Sequence, residues 1–284
     1  MIRAPRFLTL LMLIGAVTGL ALLRESTPTP NAHGTFGRGP RVVLVHGLGS
    51  SDADWLPTAR ALARRHQVTL VDLPGHGLSD MPHNFSLEEA RVALDVALAE
   101  IGNEPVTLVG HSVGGLVCAA EALASPGRVR ALVLIETALK PPMNEAARAG
   151  LLAALDSDYD GVIHAAYLDF GRDAEQGERL YREVRALDST TVKRWIRLAM
   201  TSDISAQMTR LQPPMLAIFA PRTWGPDERW EDVAAIIGFD QVPQLEVERI
   251  RDAGHFVMLD QPQELAARIA RFAAHPEGEP IAGR

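Results

Sequence analysis

Cysteine is nearly absent from this chain of 284 residues: the single one, Cys118, excludes an intrachain disulfide and leaves the fold to stand on packing. A concentrated basic patch is missing too. The net charge is -7 and no block of Lys and Arg occurs, which argues against a nucleic-acid partner, since phosphate binding needs a basic face. Among the nine histidines there is no His-Glu-x-x-His and no paired spacing, so no metal is expected. The glycines between Gly110 and Gly115 do not fall at the G-x-G-x-x-G positions of a dinucleotide fingerprint, and no cofactor is expected. Internal repeats are absent, as are low-complexity tracts beyond one short linker. What remains is a globular balance, 47% hydrophobic and 22% charged, in a chain long enough to bury a substantial core.

One uncharged apolar run stands at the start. Arg3 and Arg6 precede Phe7 to Leu23, a stretch just long enough to span a bilayer. Gly19-Leu-Ala21 offers small residues where a signal peptidase reads, so residues 1–23 are a signal peptide or a membrane anchor. A buried N-terminal helix is the competing reading. Arg24 and the Ser/Thr/Pro-rich stretch Glu25 to Pro30 argue against it, because they set the run apart from the domain. The basic flank predicts an exported domain, secreted, periplasmic or tethered to the outer side of a membrane.

After a linker over residues 24–40 the pattern alternates. Arg41 to Val45, Val68 to Leu73, Val106 to Val109 and Val129 to Ile135 are short, β-branched apolar runs, as buried parallel strands are. Helical spacing falls between them. One helix is expected from Trp55 to Arg65 with Asp54 as its cap, and one opens at the capping box Ser86-Leu-Glu-Glu89 and runs to about Glu100. A third follows Ser112. From 140 to 212 the strands stop and helical segments take over: Asn144 to Leu155, Ala174 to Leu187 and Thr191 to Met200. Met215 to Ala220 resumes the strands. Gln244 to Ile250, which alternates, is expected near an edge, and Gln261 to Ala274 closes the domain as an amphipathic helix. The expected architecture is α/β: a mostly parallel sheet flanked by helices (core residues 41–139 and 213–276), an inserted α-helical cap (140–212) and a flexible tail (277–284).

Gly110-His-Ser-Val-Gly114 follows a strand and opens a helix. A sharp strand-to-helix turn forces the serine into a strained backbone conformation, and the flanking glycines remove side chains that would collide. Its hydroxyl then stands clear of the sheet beside a helix N-terminus that favours developing negative charge. His46-Gly-Leu-Gly49 follows the first core strand, and its glycine-rich turn frees backbone N–H groups. Those of Leu48 and Val113 can face one pocket as an oxyanion hole. Asp252-Ala-Gly-His-Phe256 follows the last strand and places His255 where a base for Ser112 belongs, at the carboxyl end of the sheet.

Together with Asp72-Leu-Pro-Gly-His-Gly77, these motifs resemble the α/β-hydrolase-fold serine hydrolases that carry a helical cap, over about residues 41–274. The resemblance implies Ser112 as nucleophile, His255 as base, Leu48 and Val113 as oxyanion donors, and hydrolysis of a small apolar carboxylic ester through an acyl-enzyme. The same residues could cleave a lactone, an amide or a carbon–carbon bond, or form peracids. A binding protein of weak turnover on the same fold is the non-enzymatic alternative. The chain departs from the pattern at the acid: the usual aspartate position holds Thr223. Glu136, at the end of the preceding strand, where haloalkane dehalogenases carry a glutamate, is the favoured replacement; Asp227 is the alternative. A serine rather than an aspartate at the elbow argues against dehalogenase and epoxide hydrolase chemistry.

Overall fold

The computed structural model describes residues 32–77 and 79–276. The segment 1–23, the first part of the expected linker and the tail 277–284 lie outside them. No helix among the described residues is long and apolar enough to cross a membrane.

Seven strands form one sheet: β1 (Ala32–Gly37), β2 (Arg41–Val45), β3 (Gln67–Val71), β4 (Val106–His111), β5 (Val129–Ile135), β6 (Met215–Phe219) and β7 (Leu245–Arg249). Their spatial order is β1-β3-β2-β4-β5-β6-β7. Only the β1–β3 pair is antiparallel; every other pair is parallel, with Val43 beside Leu108 and Leu134 beside Ala217. The expected linker therefore ends early. Ala32–Gly37, rich in glycine and short of β-branched residues, pairs as an edge strand, where pairing to one neighbour suffices.

The apolar runs are continuous because both faces of the sheet are covered. Val42 and Leu44 point into one hydrophobic cluster, Val43 and Val45 into the other. One face packs under α1 (Asp52–Leu62), and the other carries α2 (Leu87–Ile101) and α3 (Ser112–Ala124). The first helix starts earlier than expected, at Asp52 with Ser51 as cap; Asp54 lies inside it, its carboxylate accepting the Ser51 N–H at 3.2 Å. Ser86 does cap α2, its hydroxyl accepting the Glu89 N–H at 3.2 Å.

Between β5 and β6 stand four α-helices, α4 (Glu145–Ser157), α5 (Tyr159–Phe170), α6 (Ala174–Val184) and α7 (Ser189–Thr201). Three of them match expected segments. The sequence reading passed over α5, whose apolar face seats Ile163 and Tyr167 in the core. Three further α-helices follow among the described residues: α8 (Trp230–Ile237), the short α9 (Val257–Asp260) and α10 (Pro262–Ala274), which packs beside α1. β7 lies at the sheet edge, as its alternation suggested, and its residues are half-buried.

Candidate active site

Three turns at the carboxyl ends of the strands build the site. The first joins β4 to α3. Ser112 has φ 53°, the left-handed region that a side chain rarely adopts. The surroundings over-determine this strain. Gly114 lies so close to the preceding loop that a Cβ there would stand 2.0 Å from the His46 carbonyl oxygen. Thr137 Oγ1 donates to the Ser112 carbonyl at 3.1 Å. The hydroxyl-bearing side chain lines a cavity of about 510 Å³ under the cap.

The second turn ends β5. Glu136 also has positive φ, 49°, and its side chain is buried at the end of the sheet. Its carboxylate is bonded on both oxygens. Oε1 accepts the Ala220 N–H at 2.8 Å, and Oε2 accepts the Thr223 hydroxyl at 2.9 Å. Oε2 also lies 3.0 Å from His255 Nδ1, and the Arg222 guanidinium stands 3.8 Å away. Thr223, at the position where an aspartate was expected, thus bonds the glutamate that reaches the histidine. Asp227 is exposed on the loop before α8.

The third turn, after β7, carries His255, buried at 7% exposure. Its backbone N–H donates to the Phe170 carbonyl at 2.9 Å, and the Phe170 ring stacks on the imidazole at 4.4 Å between centroids. Asp260 holds the loop beneath: it accepts the Gly254 N–H at 2.8 Å and the Gln176 amide at 2.6 Å. His111 Nε2 meets the His255 carbonyl at 2.9 Å. With Nδ1 turned to Glu136, Nε2 is the ring nitrogen left for the cavity that His255 and Ser112 share. Of the two expected oxyanion donors, Val113 lines this cavity and Leu48 does not. Leu48 follows Gly47, which is packed so closely on the elbow that a Cβ would stand 2.9 Å from Ser112 Cβ.

The cavity wall is largely apolar, with Leu116, Met143, Leu151, Met200 and Ile237 among its residues. That environment sets the charges. Burial pushes the Glu136 carboxyl above the ordinary carboxylate range, against the pull of the Ala220 N–H, the Thr223 hydroxyl and Arg222. Burial first, and the Arg222 charge second, hold the His255 imidazole below its usual value, so it rests neutral, the form a general base requires. Cys118 is buried and its thiol is raised well above the ordinary range, which makes it a packing residue. No group of His, Cys, Asp and Glu able to hold a metal occurs among the described residues.

Sequence reasoning passed over Phe170, Arg222 and His111 as parts of the site. Phe170 and Arg222 carry no local motif; they reach His255 and Glu136 from the cap and from the loop after β6. His111 lies inside the glycine-serine motif, but its bond to the His255 carbonyl spans 144 residues.

The comparisons with known proteins agree with this architecture. The alpha/beta hydrolase family matches residues 42–268, and the chain belongs to that family. Over 259 residues it is 26% identical to a pimeloyl-[acyl-carrier protein] methyl ester esterase of Aeromonas hydrophila, covering 84% of this chain and 96% of that one. Over 252 residues it is 30% identical to the polyketide synthase ThaQ of Burkholderia thailandensis, covering 83% of this chain but only 12% of the synthase. Coverage of the corresponding esterase of Pseudoalteromonas atlantica is 40%. Among solved structures, a hydrolase of Oleispira antarctica superposes with a TM-score of 0.74 at 18% identity over 85% of this chain and 94% of that one. The enol-lactonase of Burkholderia xenovorans gives 0.72 at 16% over 87% and 100%. At these identities the structural likeness carries the fold.

The buried histidines predict how the domain responds to acid. Burial lowers His46 to about 4, and His76 and His111 to about 3, from 6.5. The unfolded chain therefore binds protons that the folded one refuses between pH 6.5 and these values. Stability present above pH 6.5 is lost as the pH falls, by up to about 1.4 kcal/mol per histidine per pH unit. His255 and His66, also lowered by burial, add to this; the carboxyls of Glu136, Glu121 and Glu183, raised by burial, work in the opposite direction but are three groups against five. Melting temperatures at pH 7 and pH 5 check this: a clear fall is expected, and equal values contradict it.

Proposed function

We propose that this protein is a serine hydrolase that cleaves a small, apolar carboxylic ester through an acyl-enzyme. The observation that carries the reading is the His255–Glu136 contact at 3.0 Å beside a strained Ser112 in one apolar cavity. In this reading Ser112 Oγ attacks the ester carbonyl while its proton passes to His255 Nε2. Glu136 orients the imidazole and stabilises the imidazolium that forms, which matters most in a buried site. The carbonyl electron pair moves onto oxygen, where the N–H groups of Leu48 and Val113 receive it. Collapse expels the alkoxide, which takes the proton from His255. Water then repeats the sequence on the acyl-enzyme, His255 accepting its proton and returning one to Ser112, and the acid leaves. The apolar wall supports an apolar acyl or alcohol group. The esterase likeness points the same way, since that relative is named for a methyl ester.

Variants assayed on p-nitrophenyl esters test these roles. Ser112→Ala should leave at most a few per cent of activity in a folded protein. Glu136→Gln should reduce turnover at least roughly a hundredfold, because the amide cannot balance the imidazolium charge, while Asp227→Asn stays within about tenfold of wild type. An active Ser112→Ala sinks the nucleophile assignment, and the reverse ranking of the two carboxylates makes Asp227 the acid.

In the same reading, residues 7–23 export the domain and, if retained, tether it. The support is the uncharged apolar run behind Arg3 and Arg6. Fractionation of cells expressing the full chain should place it in the membrane or outside the cytoplasm, and deletion of residues 1–23 should abolish that; full-length, unprocessed protein in the soluble cytoplasm contradicts it.

A further inference from the structure

The loop from His46 to Ser50 carries Leu48, and side chains from distant parts of the chain pin its peptides one after another. His46 Nε2 accepts the Leu73 N–H at 3.0 Å, so the ring proton sits on Nδ1 and donates to the Gly47 carbonyl at 2.8 Å. The Ser50 N–H adds a second bond to that carbonyl at 3.2 Å. This carbonyl belongs to the peptide that bears the Leu48 N–H. The next peptide is gripped at both ends. Its carbonyl, that of Leu48, accepts the Tyr167 hydroxyl at 2.9 Å, and its N–H, that of Gly49, donates to His76 Nε2 at 3.3 Å. His76 Nδ1 lies 3.2 Å from the Pro74 carbonyl, which places the proton there and leaves Nε2 as the acceptor.

Tyr167 and His76 are 2% and 1% exposed, and neither lines the cavity that Ser112 and His255 share. Tyr167 belongs to cap helix α5 and reaches a loop 119 residues earlier in the chain. Gly49 makes room for it: at φ 75° a Cβ would stand 2.4 Å from the Tyr167 oxygen. A second cap helix reaches the same region, for Trp195 of α7 donates to the Pro74 carbonyl at 2.9 Å and packs on the His76 ring. Burial also raises the Tyr167 phenol, which therefore stays protonated and donates.

We propose that Tyr167 and His76 are positioning residues that fix the Leu48–Gly49 peptide and, through it, the direction of the Leu48 N–H, so that the seated cap completes the oxyanion hole. The proposal rests on the reading of Leu48 as an oxyanion donor and Ser112 as nucleophile. Its physical basis is the narrow geometry such a donor needs, about 2.7–3.1 Å from an oxygen that becomes charged only in the transition state. A loop free to rotate one peptide loses that alignment while still binding the neutral ester. The defect belongs in kcat rather than KM.

Tyr167→Phe in the full-length protein removes the hydroxyl and keeps the ring contacts with Phe170 and Phe256. With p-nitrophenyl acetate, kcat should fall about 10- to 100-fold, somewhat less than the loss of a whole oxyanion donor, with KM within about twofold. A heptyl trifluoromethyl ketone supplies a readout that a merely structural role would not move. Ser112 Oγ adds to its carbonyl carbon, the hydroxyl proton passes to His255, and the carbonyl pair becomes an alkoxide in the hole. Its inhibition constant should rise by the same factor by which kcat/KM falls. His76→Phe probes the peptide from its other end and should show the same paired losses. In the double variant the loss should be smaller than the product of the single losses, because both act through one peptide. A Tyr167→Phe enzyme with kcat within twofold of wild type overturns the proposal. So does a loss of kcat with unchanged ketone affinity, or a fully multiplicative double variant. If Tyr167→Phe does not fold, the His76→Phe pair of measurements decides alone by the same criteria. Ser112→Ala in the same assay separates the two levels: if it is active, the reading of the site fails and the proposal with it; if it is inactive while Tyr167→Phe behaves as wild type, only the proposal fails.

Discussion

A carboxylate buried at the end of a parallel sheet must be bonded on every side or it will take up a proton and become neutral, and Glu136 is the group on which this site turns. Its two oxygens receive the Ala220 N–H, the Thr223 hydroxyl and the His255 ring, with Arg222 nearby. Ala220, Arg222 and Thr223 come from the loop after β6, and His255 from the turn after β7. To bring them together the backbone of Glu136 itself adopts φ 49°, and the end of β5 is tied to β6 through the Glu136 N–H and the Ile218 carbonyl at 2.9 Å. Burial strengthens any charge interaction inside the site and raises the cost of a partner lost.

Much of this was legible in the residues. Strands covered on both faces read as unbroken apolar runs, so β2 to β6 and the α-helices between them, α5 apart, could be placed within a few residues. The serine and histidine turns have local signatures, because the steric demands of a tight turn fall on neighbours within the same pentapeptide. The carboxylate that meets His255 could not be read this way. Whether Thr223 and Glu136 can exchange roles depends on how the end of β5 stands against the loop after β6, a relation between residues 87 apart in the chain. The helix α5 escaped notice beside Gly161, whose space is taken by the carboxylate of its cap, Asp158. The strand Ala32–Gly37 has one β-branched residue, Thr35, where β2 to β5 have several, and is held by its single neighbour.

The cap is part of the same construction rather than a separate lid. Phe170, the last residue of α5, accepts the His255 backbone N–H and stacks on its ring, while Tyr167, one turn earlier, bonds the Leu48 carbonyl. One helix thus touches the loop of the proposed base and the loop proposed for the oxyanion. Arg222 ties in from the other side, ion-paired with Asp169 of α5 and placed over the Phe170 ring at 5.0 Å. Replacing cap residues that never meet a substrate can on this account alter catalysis, since their effect passes through backbone groups rather than through the cavity wall.

The proposed function stands or falls on Ser112 being an activated nucleophile. Incubation of the full-length protein with a fluorophosphonate, followed by peptide mapping, tests it directly, because phosphonylation requires an activated hydroxyl. The account predicts one adduct per chain, on Ser112, formed in step with the loss of esterase activity. Undiminished ester hydrolysis without an adduct, or an adduct on another residue, would contradict it.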